Sequence, residues 1–165
     1  MKNIVLIGMP GCGKTTLGRY LAKILGRDFI DADPEIEKDA GKTIPELFAV
    51  SEAHFREQET KTTKRLAKLG NKVLAMGGGV VLREEIITCL KENGLVIFLD
   101  RSPGDIVGDV DTDTRPLLAA GRQRIYDLYD QREALYRKAA DVTVQNKGEL
   151  EEVLRRLTEA AKAAE

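Results

Sequence analysis

The 165-residue chain has no tryptophan, one histidine, two cysteines and four each of tyrosine and phenylalanine. Each scarcity removes a class of chemistry. A lone His54 cannot build a Ser-His-Asp triad of the chymotrypsin kind; it precedes Phe55 in a helical pattern and reads as a surface or packing residue. Cys12 and Cys89 are too few for a disulfide framework or a zinc site. No apolar run approaches the roughly 20 residues that span a bilayer. The N-terminus enters a strand pattern directly, with no leader, so a cytoplasmic location is expected. Charge of one sign is also missing: 26 Lys and Arg stand against 27 Asp and Glu, for a net charge of −1. That balance lacks the electrostatic footprint of a nucleic-acid-binding protein. The length fits one domain, residues 1–165, with a sizeable core.

What the chain does have is a phosphate loop. Residues 8–15 read Gly-Met-Pro-Gly-Cys-Gly-Lys-Thr, after the apolar run Ile4–Ile7 and before a helical pattern. The fixed positions of G-x-x-x-x-G-K-[ST] are all filled, in the strand-before, helix-after context the motif needs. Gly8, Gly11 and Gly13 let the backbone turn and aim its N–H groups at phosphate, with the positive end of a helix behind them. Lys14 is placed to reach β- and γ-phosphates, and the Thr15 hydroxyl to ligate Mg²⁺. Cys12 lies near a helix N-terminus, where a thiolate is favoured; a redox role competes there with simple space-filling. Cys89 falls in an apolar helical pattern and reads as core.

Short apolar runs alternate with helical patterns along the chain. Strands are expected at 3–7, 28–31, 72–75, 95–99 and 141–144, and helices at 15–25, 51–69, 83–93, 122–139 and 149–163. This order predicts a three-layer α/β/α fold with a five-stranded parallel sheet. Ligands in such sheets bind beyond the carboxyl ends of the strands. Two stretches break the rhythm. Residues 33–70 are helical throughout and read as an inserted acceptor-binding region. Residues 102–121, with Pro103, Gly104, Gly108, Pro116 and Gly121, read as a mobile loop containing a lid at about 105–121.

Further constellations fall at the strand ends. Asp31 and Asp33 follow the second strand; one carboxylate can assist Mg²⁺ and the other can orient an acceptor hydroxyl and take its proton. Asp33 also suits the N-cap of a helix starting at Pro34, and the two roles are compatible. Gly77-Gly78-Gly79 after the third strand permits close approach of a ligand to the backbone. Arg56 and Glu59, three apart on a helix, are neighbours, so Glu59 can hold the Arg56 guanidinium rigid for an anionic substrate. Arg115 and Arg132 are candidates for phosphate or substrate contact, although spacing does not separate them from Arg122, Arg124 or Arg137. Asn146-Lys147-Gly148-Glu149 approximates a guanine-reading motif, but Glu149 replaces the required Asp and no switch motif accompanies it.

Taken together, these residues resemble shikimate kinase over essentially the whole chain: Gly8–Thr16, Asp31-x-Asp33, Phe55-Arg56-x-x-Glu59, Gly77-Gly78-Gly79, Arg115-Pro116-Leu117-Leu118 and Arg132-x-x-Leu135-Tyr136. The resemblance implies a P-loop, NMP-kinase-like fold. It implies Mg²⁺- and ATP-dependent phosphorylation of the shikimate 3-hydroxyl, a step of aromatic amino acid biosynthesis, by a monomer. It assigns Gly11, Cys12, Gly13, Lys14, Thr15, Thr16 and Arg115 to ATP, and Thr15 and Asp31 to the metal. Asp33 is the base; Asp33, Arg56, Gly78, Gly79 and Arg132 hold shikimate; Glu59, Phe48 and Phe55 support them. Lys14, Asp33 and Arg115 are the catalytic set. A gluconate-kinase-like enzyme shares the loop without needing the paired arginine clamp, and adenylate kinases usually carry Gly-Thr after the lysine where this chain has Thr15-Thr16. One departure stands out. Residues 105–114 hold four acids and no Lys or Arg, so the adenine-side arginine of many relatives has no counterpart there; the segment near Gln145–Lys147 is an alternative place for adenine. Arg56→Lys is expected to raise the shikimate KM roughly tenfold in steady-state kinetics, because an ammonium cannot reproduce a two-pronged contact.

Overall fold

The computed structural model describes residues 1–112 and 119–163. Five strands, β1 (Asn3–Ile7), β2 (Asp28–Asp31), β3 (Lys72–Ala75), β4 (Gly94–Asp100) and β5 (Val142–Gln145), form one parallel sheet in the order β2-β3-β1-β4-β5. Every residue of β1 is buried, as its unbroken apolar run requires of a strand covered on both faces. Helices α1 (Lys14–Leu25) and α8 (Leu150–Ala163) pack together as one layer. On the other side α5 (Glu84–Glu92) and α7 (Ala119–Ala139) lie on β4, with α4 (Glu52–Ala67) against α5. Asn3 adds a polar tie: its amide donates to Leu69 O at 2.9 Å and its Oδ1 accepts from Lys72 N at 3.0 Å, which sets where β3 begins.

The insertion between β2 and β3 is three helices: α2 (Ala32–Ala40), α3 (Ile44–Val50) and α4. Ile36, Leu47 and Phe55 close a small apolar cluster separate from the main core. Local chemistry sets the boundaries. Thr43 and Glu46 form a reciprocal capping box at α3, and Ser51 Oγ accepts from His54 N at 3.0 Å at the start of α4. His54 is exposed, and Cys89 packs half-buried against the core.

Two expectations are corrected. Part of the expected loop is a helix, α6 (Pro103–Thr112). Pro103 opens it, Ser102 Oγ accepts from Asp105 N at 3.2 Å, and Ser102 O accepts from Ile106 N at 3.1 Å. Proline in the first turn favours a helix start, so the Pro-Gly pair marks an entry and not a break. Of the rest of the expected lid, residues 113–118 lie outside the described residues, and 119–121 form the start of α7. The second correction concerns α2, which starts two residues earlier than expected. Asp31 is its N-cap, accepting from Asp33 N at 3.4 Å, and Asp33 sits in the first turn.

Helix α1 crosses the sheet at close range through Gly18, where a Cβ would lie 2.6 Å from the Phe29 ring and 3.2 Å from Leu6. Gly18→Val is expected to destabilise the fold by about 1–3 kcal/mol through overpacking, read as a lower urea midpoint.

Candidate active site

The parallel order puts the ends of β1, β2, β3 and β4 on one edge, and the functional residues lie just past them. The turn after β1 needs glycine where φ is positive. Gly11 has φ 80° and Gly13, the N-cap of α1, has φ 100°. The loop closes around Lys14, whose Nζ donates to Gly8 O at 2.7 Å and Met9 O at 2.9 Å. Asn146, at the end of β5, donates to Cys12 O at 2.8 Å, which joins the far strand to the loop. Cys12 itself is fully buried, and that burial pushes its thiol up despite the pull of Lys14. Of the two readings of Cys12, this burial favours space-filling, because desolvation outweighs the Lys14 charge.

A cavity of about 690 Å³ opens over this loop, bounded by Lys14, Thr15, Asp31, Asp33, Gly77 and Asn146 among others. Gly11, Gly13, Thr16 and Gly78 line it as well; Cys12 does not. Thr15 Oγ1 donates to Asp31 Oδ2 at 3.2 Å, so a hydroxyl and a carboxylate meet directly beneath the loop. Two hard oxygen donors beside a phosphate cradle fit Mg²⁺, which takes few protein ligands and fills the rest of its shell with water and phosphate oxygens. Among the described residues no cluster of three or more His, Cys, Asp or Glu forms a complete protein cage. Asp33 faces the cavity. Partial desolvation and the adjacent Asp31 carboxylate raise its pKa, with Lys14 pulling the other way.

Next to the cavity lies a corner built around Arg56 and Glu59. Glu59, 2% exposed, accepts from Arg56 Nη1 at 3.0 Å, and burial pushes the Glu59 pKa up against the pull of that guanidinium. Arg56 lies 5.1 Å from the Phe55 ring centre and 5.9 Å from that of Phe48, and the two rings stack at 4.4 Å. Its Nε is buried and has no hydrogen-bond partner among the described residues. Glycine is needed here for space. A Cβ on Gly79 would sit 2.2 Å from Arg56 Nη1, and one on Gly77 would lie 3.3 Å from Asp33 and 3.4 Å from Glu59. Asp33, Glu59 and Arg56 therefore converge around the glycine turn. From α7, fully buried Tyr136 donates to Gly78 O at 2.7 Å. Burial pushes its hydroxyl up to about 12, while the positive charges of Arg132 and Arg56 act against that rise. Arg132, one turn before Tyr136, is thereby brought to the same corner as Arg56.

The structure thus gathers Lys14, Thr15, Asp31 and Asp33 at the loop, and Arg56, Glu59, Phe48, Phe55, Gly79 and Arg132 beside it. Arg115 lies outside the described residues. Arg137 is drawn elsewhere, donating to Asp100 at 2.8 Å and Glu133 at 3.0 Å. Two site residues had no assigned part in the sequence reading. Tyr136 stood within a recognised block, but its bond to Gly78 follows from packing. Arg101 lines the cavity and donates to Gly11 O at 3.0 Å; no motif marks it.

Comparison with known proteins agrees on one family. The model of the shikimate kinase family matches residues 10–162. A shikimate kinase of Clostridium beijerinckii is 46% identical over 160 residues, covering 96% of this chain and 95% of the relative. One from Clostridium botulinum is 49% identical over 155 residues, covering 93% and 94%. The solved shikimate kinase of Acinetobacter baumannii, in complex with shikimate, superposes with a TM-score of 0.88 at 35% identity, covering 100% of this chain and 95% of that one. A gluconokinase of Sinorhizobium meliloti, at TM-score 0.70 and 16% identity, covers 99% and 93% and shares the fold alone.

Gly79→Ala is expected to displace the Arg56 guanidinium while leaving the phosphate loop intact. The KM for an anionic acceptor should rise by roughly tenfold, the worth of one charge-assisted contact, with the ATP KM unchanged.

Proposed function

The chain belongs to the shikimate kinase family, and from that premise we propose how its residues divide the reaction. It transfers the γ-phosphoryl group of ATP to the 3-hydroxyl of shikimate, a step of aromatic amino acid biosynthesis. The observation that supports the division best is the adjacency of two unlike sites. A phosphate loop with Asp33 beside it adjoins an arginine held by a buried carboxylate.

In this reading the loop from Gly11 to Thr16, including the Cys12 backbone, holds the ATP phosphates. Lys14 leaves the carbonyls of Gly8 and Met9 to neutralise the transferring group. Thr15 and Asp31 would hold Mg²⁺, which supplies positive charge to the phosphate oxygens when bound. Arg56 and Arg132 clamp the shikimate carboxylate, a task for the planar fork of a guanidinium. Gly78 and Gly79 let the ring approach the backbone, and Phe48 and Phe55 give it an apolar wall. With the carboxylate so anchored, the 3-hydroxyl is presented to Asp33. Asp33 accepts its proton as the oxygen attacks phosphorus in line and the bond to ADP breaks. Arg115 adds a cation to the phosphoryl group. Residues 33–70 serve as the acceptor-binding region, and residues about 105–121 as a lid that excludes water. No helix among the described residues is long and apolar enough to cross a membrane; a cytoplasmic monomer completes the proposal.

Two measurements test it. With Mg-ATP, ADP release is expected with shikimate and not with gluconate or AMP; turnover with gluconate alone would contradict the acceptor assignment. Asp33→Asn is expected to lower kcat by at least about 100-fold, in line with general-base catalysis, with ATP binding largely intact; full activity would remove Asp33 from the mechanism. The acid limb of the wild-type profile follows from the raised pKa. The base works when ionised, so kcat/KM should fall as pH drops through a value above the ordinary 3.8 of an aspartate.

A further inference from the structure

We propose that Arg101 is a nucleotide-binding residue whose place on the phosphate chain of ATP is kept by Asp109 until nucleotide arrives. The inference rests on the reading of the loop cavity as the ATP site. Arg101 directly follows β4, the neighbour of β1, so the sheet delivers it to the flank of the phosphate loop. Its guanidinium donates through Nη1 to Gly11 O at 3.0 Å and pairs through Nη2 with the Asp109 carboxylate on α6. Both side chains line the cavity, alongside Lys14 and Asn146. The pair is asymmetric: Arg101 is 18% exposed and Asp109 63%. Lys14 and Arg101 are the cationic side chains lining the cavity among the described residues. Asp109 is the α6 acid that lines the cavity, so among the described residues the positive charge that meets the nucleotide on this flank comes from Arg101.

The geometry makes the exchange inexpensive. A phosphate and a carboxylate accept the same two-pronged guanidinium contact, so Arg101 can trade one for the other while keeping Gly11 O. Asp109 is released into water, and an ion pair with one well-exposed partner is held weakly. An arriving polyanion repels Asp109 and attracts Arg101, so both charges favour the same exchange. Asp109 is thus a competitor for Arg101, and removing either residue should shift affinity in opposite directions.

The experiment is calorimetric titration of the purified full chain with Mg-ADP, with thermal midpoints recorded for each variant. Arg101→Met is expected to weaken binding roughly tenfold and Arg101→Lys less; Asp109→Asn is expected to tighten it by about threefold. The shikimate KM should not move in any of them. Weaker binding in both Arg101→Met and Asp109→Asn would make the pair a structural tie and overturn the inference, as would unchanged affinity in both. Should Arg101→Met fail to fold, the sign of the Asp109→Asn effect decides alone. The parent reading fails separately, if the wild-type chain shows no shikimate-dependent turnover.

Discussion

The parallel pairing of β1 between β3 and β4 is the constraint on which the site depends. Parallel strands all end at the same edge, so whatever follows each of them is collected there. After Ile7 comes the phosphate loop, after Ala75 the glycine turn, and after Asp100 comes Arg101; β2, one strand further out, delivers Asp31 and Asp33. Residues separated by 90 positions, as Gly11 and Arg101 are, or by 134, as Cys12 and Asn146 are, meet without any long connection reaching for them. The constraint is enforced by burial. Ile4, Val5, Leu6 and Ile7 are almost wholly removed from water, at about 1.5–3 kcal/mol for each such side chain. A slip in its register against β3 and β4 would displace the loop relative to its neighbours.

On that scaffold the charges divide into two regions. At the loop, carboxylates of Asp31 and Asp33 face a cradle of N–H donors and Lys14, an arrangement that suits a divalent cation and a polyphosphate. At the corner, Glu59 is buried against Arg56. A buried ion pair contributes little net stability, because desolvation offsets the attraction, so the return is positional. Glu59 fixes a guanidinium against Gly79, and the apolar rings of Phe48 and Phe55 limit its movement. The fold accepts a costly electrostatic arrangement, visible in the raised Glu59 pKa, and in exchange holds a guanidinium fork beside Asp33.

Much of this was legible in the sequence where the signal is local. The five strands fall within a residue or two of their expected limits: β1, β3 and β4 are short runs of mostly buried apolar residues, and the edge strands β2 and β5 are short runs marked by Phe, Ile and Val. The loop glycines, the Asp31-Asp33 pair and the Arg56-Glu59 spacing were equally plain. Local signals misled where one residue type serves two purposes. Pro103-Gly104 suggested a loop and instead begins α6; Asp31, not Asp33, caps α2; Cys12 sits near a helix terminus but is governed by burial. Arg101 and Tyr136 had no local signal at all. Their partners, Gly11 O and Gly78 O, lie 90 and 58 positions away and are reached only through sheet order and helix packing. Arg132 was selected by family resemblance and not by spacing, which could not separate it from Arg137.

In the proposed orientation the acceptor enters carboxylate first, so that its 3-hydroxyl reaches Asp33 beside the phosphate loop. A crystal structure of the chain with Mg-ADP and shikimate tests it directly. The expected result is the shikimate carboxylate on the guanidinium groups of Arg56 and Arg132, with the 3-hydroxyl within hydrogen-bonding distance of Asp33 and facing the β-phosphate. A carboxylate turned toward the loop, or a ring seated away from Gly77–Gly79, would contradict it.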